Sequence, residues 1–341
     1  GMIDQYQPNP AVREVMVRAA EWMKETSMHL APNEAGLLAI WSMPEIEGTD
    51  DAAEVKLGGT ALGLVALLSV ERISPGATSI EQLRGLGRFL VFMQREDGSY
   101  YSKYSPESGG RDGQWQSLYY PGEAALGLVM LNQLDPSPVW QEAAIKTLLY
   151  LADQRRGFVT VEADHWALLA TARLFDQAPE AMTPQQREII MHHAIQVCRS
   201  ILIGRPHCAP NAEAEGSLTF NSRTCPTATR LEGLIAALEF LPDEQAELRK
   251  EIRLAVDEGI GFLKRSQIDS GPHRGGVPRE ALARKPDGTF WFVDDRSGEI
   301  RIDYVQHAVS AMIQYDLLAR DCPSQPADDS LAISNEASSA R

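Results

Sequence analysis

The chain has 341 residues, 44% of them hydrophobic and 23% charged, with a formal net charge of −15 at pH 7. That apolar fraction supports a large core and argues against a disordered or fibrous chain. The acidic balance, without any basic stripe, argues against nucleic acid as a partner.

Four cysteines (Cys198, Cys208, Cys225 and Cys322) without a CxxC pair do not make a disulfide scaffold or a cysteine-rich zinc site. The best apolar run, Leu57–Val70, is broken by Gly58, Gly59, Gly63 and Ser69, so no transmembrane helix and no membrane partner are expected. The stretch Met2–Pro8 lacks a basic start and an apolar h-region, so the expected location is the cytoplasm.

Along the chain, apolar residues recur at helical spacing in segments of two alternating kinds. The first kind is amphipathic and charged on one face: Ala11–Ser27, Ser79–Gln94, Pro138–Gln154, Pro184–Leu202 and Glu244–Gln267. Ser79 with Gln82, and Thr183 before Pro184, carry N-terminal signals. The second kind is poor in charge and rich in Gly and Ala: Gly58–Val70, Gly122–Leu134, Asp164–Phe175, Thr227–Leu241 and Asp303–Leu318. A helix apolar nearly all round is buried on every side, so these are the expected inner helices. A glycine-led stretch precedes each of them, beginning at Gly36, Gly98, Gly157, Gly216 and Gly275, and reads as a C-cap followed by a short strand or turn.

A unit that cannot bury its own inner face must stack on copies of itself. Charged helices outside and apolar ones inside predict closure into an all-α, α/α toroid of five to six helical hairpins, with Asp303–Leu318 brought beside Ala11–Ser27. Residues 1–320 form the expected single domain and 321–341, rich in Ser, Pro, Ala and Asp, a flexible tail.

Parallel inner helices open their N-termini at one end of the ring, and polar residues gather at those starts. The expected catalytic set is Tyr120, Glu123, Asp164, Asp303 and His307. Tyr119, His165, Trp166, Arg230, Glu232 and Tyr304 lie in the same turns and are expected to bind substrate, with Tyr101, Trp115, His273 and Arg274 added by the connections. Tyr100 and Tyr104 are also expected at this rim. Aromatic walls with charged donors and acceptors suit a sugar, whose C–H faces stack while its hydroxyls hydrogen-bond.

Capping alone explains an Asp at a helix start, the dipole explains Glu123 and Glu232, and Pro121 and Pro226 are first-turn prolines. It does not explain aromatic, His, Arg and a second acid in the same turns. His192–His193 reads as a solvated pair and Arg155–Arg156 as a helix end. Cys208, His207 and Cys225 lack a fourth ligand, so no metal and no cofactor are expected. Phe290–Val293, flanked by turn signals, reads as a β-hairpin lid.

Two stretches carry a family resemblance. Phe92-Met93-Gln94-Arg95-Glu96-Asp97-Gly98-Ser99-Tyr100 resembles the LxxQxxDGS connection of α/α-toroid proteins, both the six-hairpin glycosidase-like group and the prenyltransferase/terpenoid-cyclase group. Tyr119-Tyr120-Pro121-Gly122-Glu123 is similar to the helix start in the α-helical domain of D-glucuronyl C5-epimerases. The chain departs from these groups in showing five clear pairs rather than six, which leaves room for a disguised pair near Leu30–Asp51. It also lacks the aspartate-rich motif of terpenoid cyclases and the zinc set of protein prenyltransferases.

The resemblance implies a carbohydrate-active enzyme, a glycoside hydrolase or a uronate epimerase or lyase, acting on a small saccharide or oligosaccharide. A hydrolase would use Glu123 with Asp303 or Asp164. An epimerase or lyase would use Tyr120 or His307 to abstract a proton and Arg230 to neutralise the uronate. The alternatives are a non-catalytic toroid binding a glycan or protein, and an isoprenoid-binding toroid.

Overall fold

The computed structural model describes residues 2–321 apart from 33, 35, 50–51, 108, 178, 207, 210 and 282–293. The expected lid at Phe290–Val293, the tail beyond residue 321, His207 and Cys322 lie outside the described residues.

The chain starts with a short helix, α1 (Met2–Tyr6), and the first outer helix, α2 (Pro10–Thr26). Strands β1 (Met28–Leu30) and β2 (Leu38–Ser42), a single turn α3 (Pro44–Glu47) and β3 (Glu54–Lys56) lead into inner helix α4 (Leu57–Glu71). Outer α5 (Ile80–Met93), strands β4 (Lys103–Ser105) and β5 (Gly110–Asp112) and inner α6 (Tyr120–Leu134) follow. The alternation then continues through outer α7 (Pro138–Gln154), inner α8 (His165–Gln177), outer α9 (Pro184–Ile203) and inner α10 (Thr224–Phe240). Outer α11 (Ala246–Ser266) and inner α12 (Ile302–Asp321) complete the described chain.

Each inner helix packs on the next, in the order α4, α6, α8, α10, α12, and the outer helices back them. The inner helices carry the core because they offer apolar or small residues on every face; Leu64, Leu67, Leu128, Leu131, Leu231 and Leu234 are fully buried. Each such side chain contributes ~1.5–3 kcal/mol of burial free energy. The outer helices contribute one apolar stripe each, as Leu83, Leu86, Phe89, Leu90 and Met93 do from α5. Their starts are fixed locally: Ser79 with Gln82, and Thr183 with Gln186, form capping boxes.

Closure differs from the expectation in detail. Helix α12 is met by α1, where the Tyr6 hydroxyl donates to Asp316 Oδ2 at 2.8 Å, while α2 packs on α4. The interval Leu30–Asp51 holds no sixth helical pair among the described residues. It feeds an antiparallel sheet in the order β1-β2-β3-β4-β5, with Met28 opposite Ile40, Trp41 opposite Val55 and Val55 opposite Tyr104. Trp41, Val55 and Tyr104 share its buried face, and Tyr104 meets Phe89 edge-on at 5.8 Å. Tyr104 is therefore core, as is Tyr100, whose hydroxyl bonds Thr147 Oγ1 at 3.0 Å.

The glycine-led connections share one feature: Gly36, Gly98, Gly157, Gly216 and Gly275 all have positive φ, between 74° and 93°. At Gly216 a side chain would also collide, since a Cβ would lie 2.2 Å from the Glu258 carbonyl oxygen. Among the described residues, the connections at Gly36, Gly98 and Gly275 add strand or bridge pairing, and the one at Gly216 runs through turns to a single bridge of Arg223 with Glu280; the one at Gly157 continues as turn and coil.

Candidate active site

Close approach of the inner helices builds the site. A Cβ on Gly58 of α4 would lie 2.3 Å from Glu123 Oε2 and 2.4 Å from a Tyr120 ring carbon. One on Gly122 would lie 2.9 Å from Asp164 Oδ1, and one on Gly233 3.0 Å from the Cα of His165. Glycine at these positions lets each helix seat against the functional turn of its neighbour.

The last of these contacts sets the register. His165 opens α8, yet it lies level with Gly233 and Glu232, in the third turn of α10. Helix α10 starts at Thr224, whose hydroxyl donates to the Pro278 carbonyl, so its first turns stand above those of α8. The functional residues thus do not all fall in first turns, as the sequence pattern suggests.

At this level three side chains converge: His165, Glu232 and His307 each place a potential ligand atom within 4.8 Å of the others. His307 Nδ1 and Glu232 Oε2 are hydrogen-bonded at 2.7 Å. Glu232 is 6% exposed, and among the described residues no lysine or arginine pairs with it. His165 is equally buried, and its Nε2 has no hydrogen-bond partner. Burial, helped by the nearby His307, pushes its pKa down to about 3 and keeps the ring neutral. Trp166 lies 6.2 Å from the His307 ring and Tyr119 lies 6.4 Å from the His165 ring, which gives the cluster aromatic walls.

Arg230, beside Tyr119, bonds the Leu218 carbonyl through Nη1, and no described carboxylate pairs with it. Burial lowers its pKa. Cys225 is half-buried nearby; burial and the charges of Asp303 and Glu232 raise its thiol to about 11, which leaves it a poor nucleophile and ligand at neutral pH.

The expected carboxylates go to different places. Asp164 is fully buried, with Oδ1 accepting from the Ala167 N–H at 3.1 Å and Oδ2 from Arg155 Nη2 at 2.9 Å. Burial raises its pKa, while the guanidinium and the N–H oppose that rise. Glu123 is buried against Tyr120, its Oε2 without a partner; burial first and Asp164 second push its pKa up to about 8. Asp303 stays near the surface, in an ion pair with Arg301 at 3.0 Å.

Of the expected binding residues, Trp115 packs edge-on to Tyr120 at 5.7 Å. Burial raises the pKa of both Tyr120 and Tyr119. Tyr101 is stacked under Arg95 and Arg111, and Tyr304 donates its hydroxyl to Glu299 Oε2 at 3.0 Å, so both are engaged away from the three-residue cluster. His273 and Arg274 are exposed in a turn.

Two functional-looking groups escape the sequence reading. Arg155 does end α7, but it is buried there and bonds His193 Nε2 at 3.0 Å as well as Asp164. His193 is 3% exposed, against the expected solvated pair, and burial pushes its pKa down to about 3. Periodicity on α9 does separate it from exposed His192, but nothing local names Arg155 as its partner.

No protein-family model and no curated protein matches the sequence. Solved structures do. A polysaccharide lyase superposes with a TM-score of 0.62 at 15% identity, over 95% of this chain and 89% of its own. A family 88 glycosyl hydrolase from Bacteroides vulgatus gives 0.59 at 12% identity, over 93% and 88%. The chain is an α/α toroid. Cellobiose 2-epimerase from Spirochaeta thermophila shares the fold with a TM-score of 0.56 at 14% identity, over 93% and 83%. Among the described residues no helix is long and apolar enough to cross a membrane.

Proposed function

We propose that this toroid is a carbohydrate-active enzyme of the proton-transfer kind, an epimerase, isomerase or lyase, with residues 1–320 acting as one domain. The observation that carries this reading is the 2.7 Å bond between His307 Nδ1 and Glu232, beside the neutral, unpartnered His165. With Nδ1 engaged, Nε2 of His307 is the nitrogen left to take a proton from a sugar carbon next to a carbonyl or carboxylate. Glu232 orients the ring and stabilises the imidazolium that forms.

The electron pair left on carbon moves to the neighbouring oxygen, and the resulting enolate needs a positive donor. Arg230, half-buried and without a carboxylate partner among the described residues, is the donor assigned to that task in this reading. The proton then returns from His307 to a neighbouring carbon or oxygen, or leaves with a β-substituent; for an epimerase, neutral His165 takes the proton from one face and His307, starting as the imidazolium held by Glu232, gives its own to the other. Trp166 and Tyr119 supply apolar faces for the sugar ring. The structural neighbours, titled a lyase, an epimerase and a hydrolase, keep all these chemistries within the fold without choosing among them.

Hydrolysis has one observation in its favour, the carboxyl of Glu123 kept protonated to about pH 8. A second carboxylate to pair with it is harder to supply: Asp164 is bound to Arg155 and a backbone N–H, and Asp303 to Arg301.

The test is proton exchange. The chain, stripped of metal with chelator, is incubated in D2O with reducing hexoses, cellobiose and hexuronates, and deuterium on carbon is followed by NMR. Incorporation that His307→Ala and Glu232→Gln abolish supports the reading. Release of a reducing end without deuterium uptake, or uptake indifferent to both substitutions, overturns it.

A further inference from the structure

The cluster of His165, Glu232 and His307 has a second property, which competes with proton transfer because an ion bound there replaces the His307–Glu232 hydrogen bond. We propose that these three side chains form a site for a divalent transition-metal ion of the zinc class, one donor atom from each and the fourth position left for water or substrate. The sequence alone expects no metal, because the donors come from three helices and from positions spread between 165 and 307.

Geometry is the first support. Two imidazoles and one carboxylate are a common donor set for zinc, and catalytic sites take three protein ligands plus solvent. A tetrahedral ion with ligand bonds of about 2.0–2.2 Å holds its donors roughly 3.4 Å apart. The three potential ligand atoms already lie within 4.8 Å of one another, so side-chain rotations that change these separations by roughly 1.4 Å or less close the site.

The second support is what the cluster lacks. His165 is 5% exposed and Nε2 has no partner, although buried ring nitrogens are normally satisfied. A metal ion takes up that lone pair. The Glu232 carboxylate is 6% exposed and, among the described residues, has only His307 as a charge partner. A buried carboxylate is costly without a cation. One divalent ion satisfies both groups, displacing the proton between His307 and Glu232.

The test uses the full chain stripped with chelator and then titrated with cobalt(II) chloride alone. The expected result is one cobalt ion per chain, with the strong visible absorption of a four-coordinate site, displaced by zinc chloride. His165→Gln and Glu232→Gln should each weaken cobalt binding tenfold or more, while His192→Ala, on the outer face, leaves it unchanged. Far-UV circular dichroism and melting without metal show which variants fold, and His307→Gln replaces either one that does not. Absence of stoichiometric uptake, or uptake that survives the cluster substitutions, overturns the proposal. The exchange assay is run in chelator, so failure here leaves the proton-transfer reading to stand or fall by itself.

Discussion

Replacing Glu123 by Gln should change how stability depends on pH. In the folded chain this carboxyl titrates near pH 8, against an ordinary value of 4.5, because it is buried beside Asp164. The folded state therefore holds a proton that the unfolded chain releases above pH 4.5, and stability falls as pH rises from there towards 8. The full effect is 3.5 pH units, about 5 kcal/mol at 1.36 kcal/mol per unit.

Two histidines act in the opposite sense. His165 and His193 titrate near pH 3 when folded against 6.5 ordinarily, so stability falls as pH drops below 6.5. Below pH 6.5 the two histidines oppose the glutamate and Asp164, whose folded pKa is also raised by burial. From pH 6.5 to 8 the glutamate acts against the fold without that opposition and removes about 1.5–2 kcal/mol.

Glu123→Gln, close in size and unable to ionise, should abolish that alkaline loss while keeping the acid limb. Urea unfolding at pH 6.5 and pH 8, with equal slopes in denaturant, measures it directly. If the wild-type and E123Q curves fall in parallel between those two pH values, the carboxyl is not held protonated and the argument from its burial fails.

Three further outcomes follow from the packing. Gly58→Ala should cost about 1–3 kcal/mol, because its Cβ would sit 2.3 Å from Glu123 Oε2, whereas Gly59→Ala, with nothing nearer than 3.9 Å, should be neutral or stabilising; chemical denaturation of the pair checks this. Arg155→Ala should lose about 3–5 kcal/mol by stranding buried Asp164, and combining Arg155→Met with Asp164→Asn should lose less than the sum of the two single changes. Tyr6→Phe should speed amide exchange in α1 and leave α8 and α10 unchanged, since the hydroxyl ties α1 to α12 at 2.8 Å.

The order of outer and inner helices was legible in the sequence because burial leaves a periodic record. Charge on one face of Glu244–Gln267 and its near absence in Gly122–Leu134 place these segments outside and inside. The positive-φ glycines and the capping boxes were legible for the same local reason. The five-stranded sheet was not, since its strands are three to five residues long and pair across the whole of α4 and α5. Nor was the seating of α1 on α12, which depends on where the ring ends meet.

At the candidate site, the sequence named the residue types and left their partners open. Glu123, Asp164 and Asp303 look alike as acids near helix starts, yet one is buried without a hydrogen-bond partner for Oε2, one is fastened to Arg155, and one lies near the surface with Arg301. That difference arises from what each turn packs against: Glu123 on Gly58 of α4, Asp164 on Arg155 at the end of α7, and Asp303 beside Arg301. Propensity, capping and amphipathic period act over a few residues, so they are written along the chain. The pairing of His307 with Glu232 joins helices 75 residues apart, and only the packed ring brings them together.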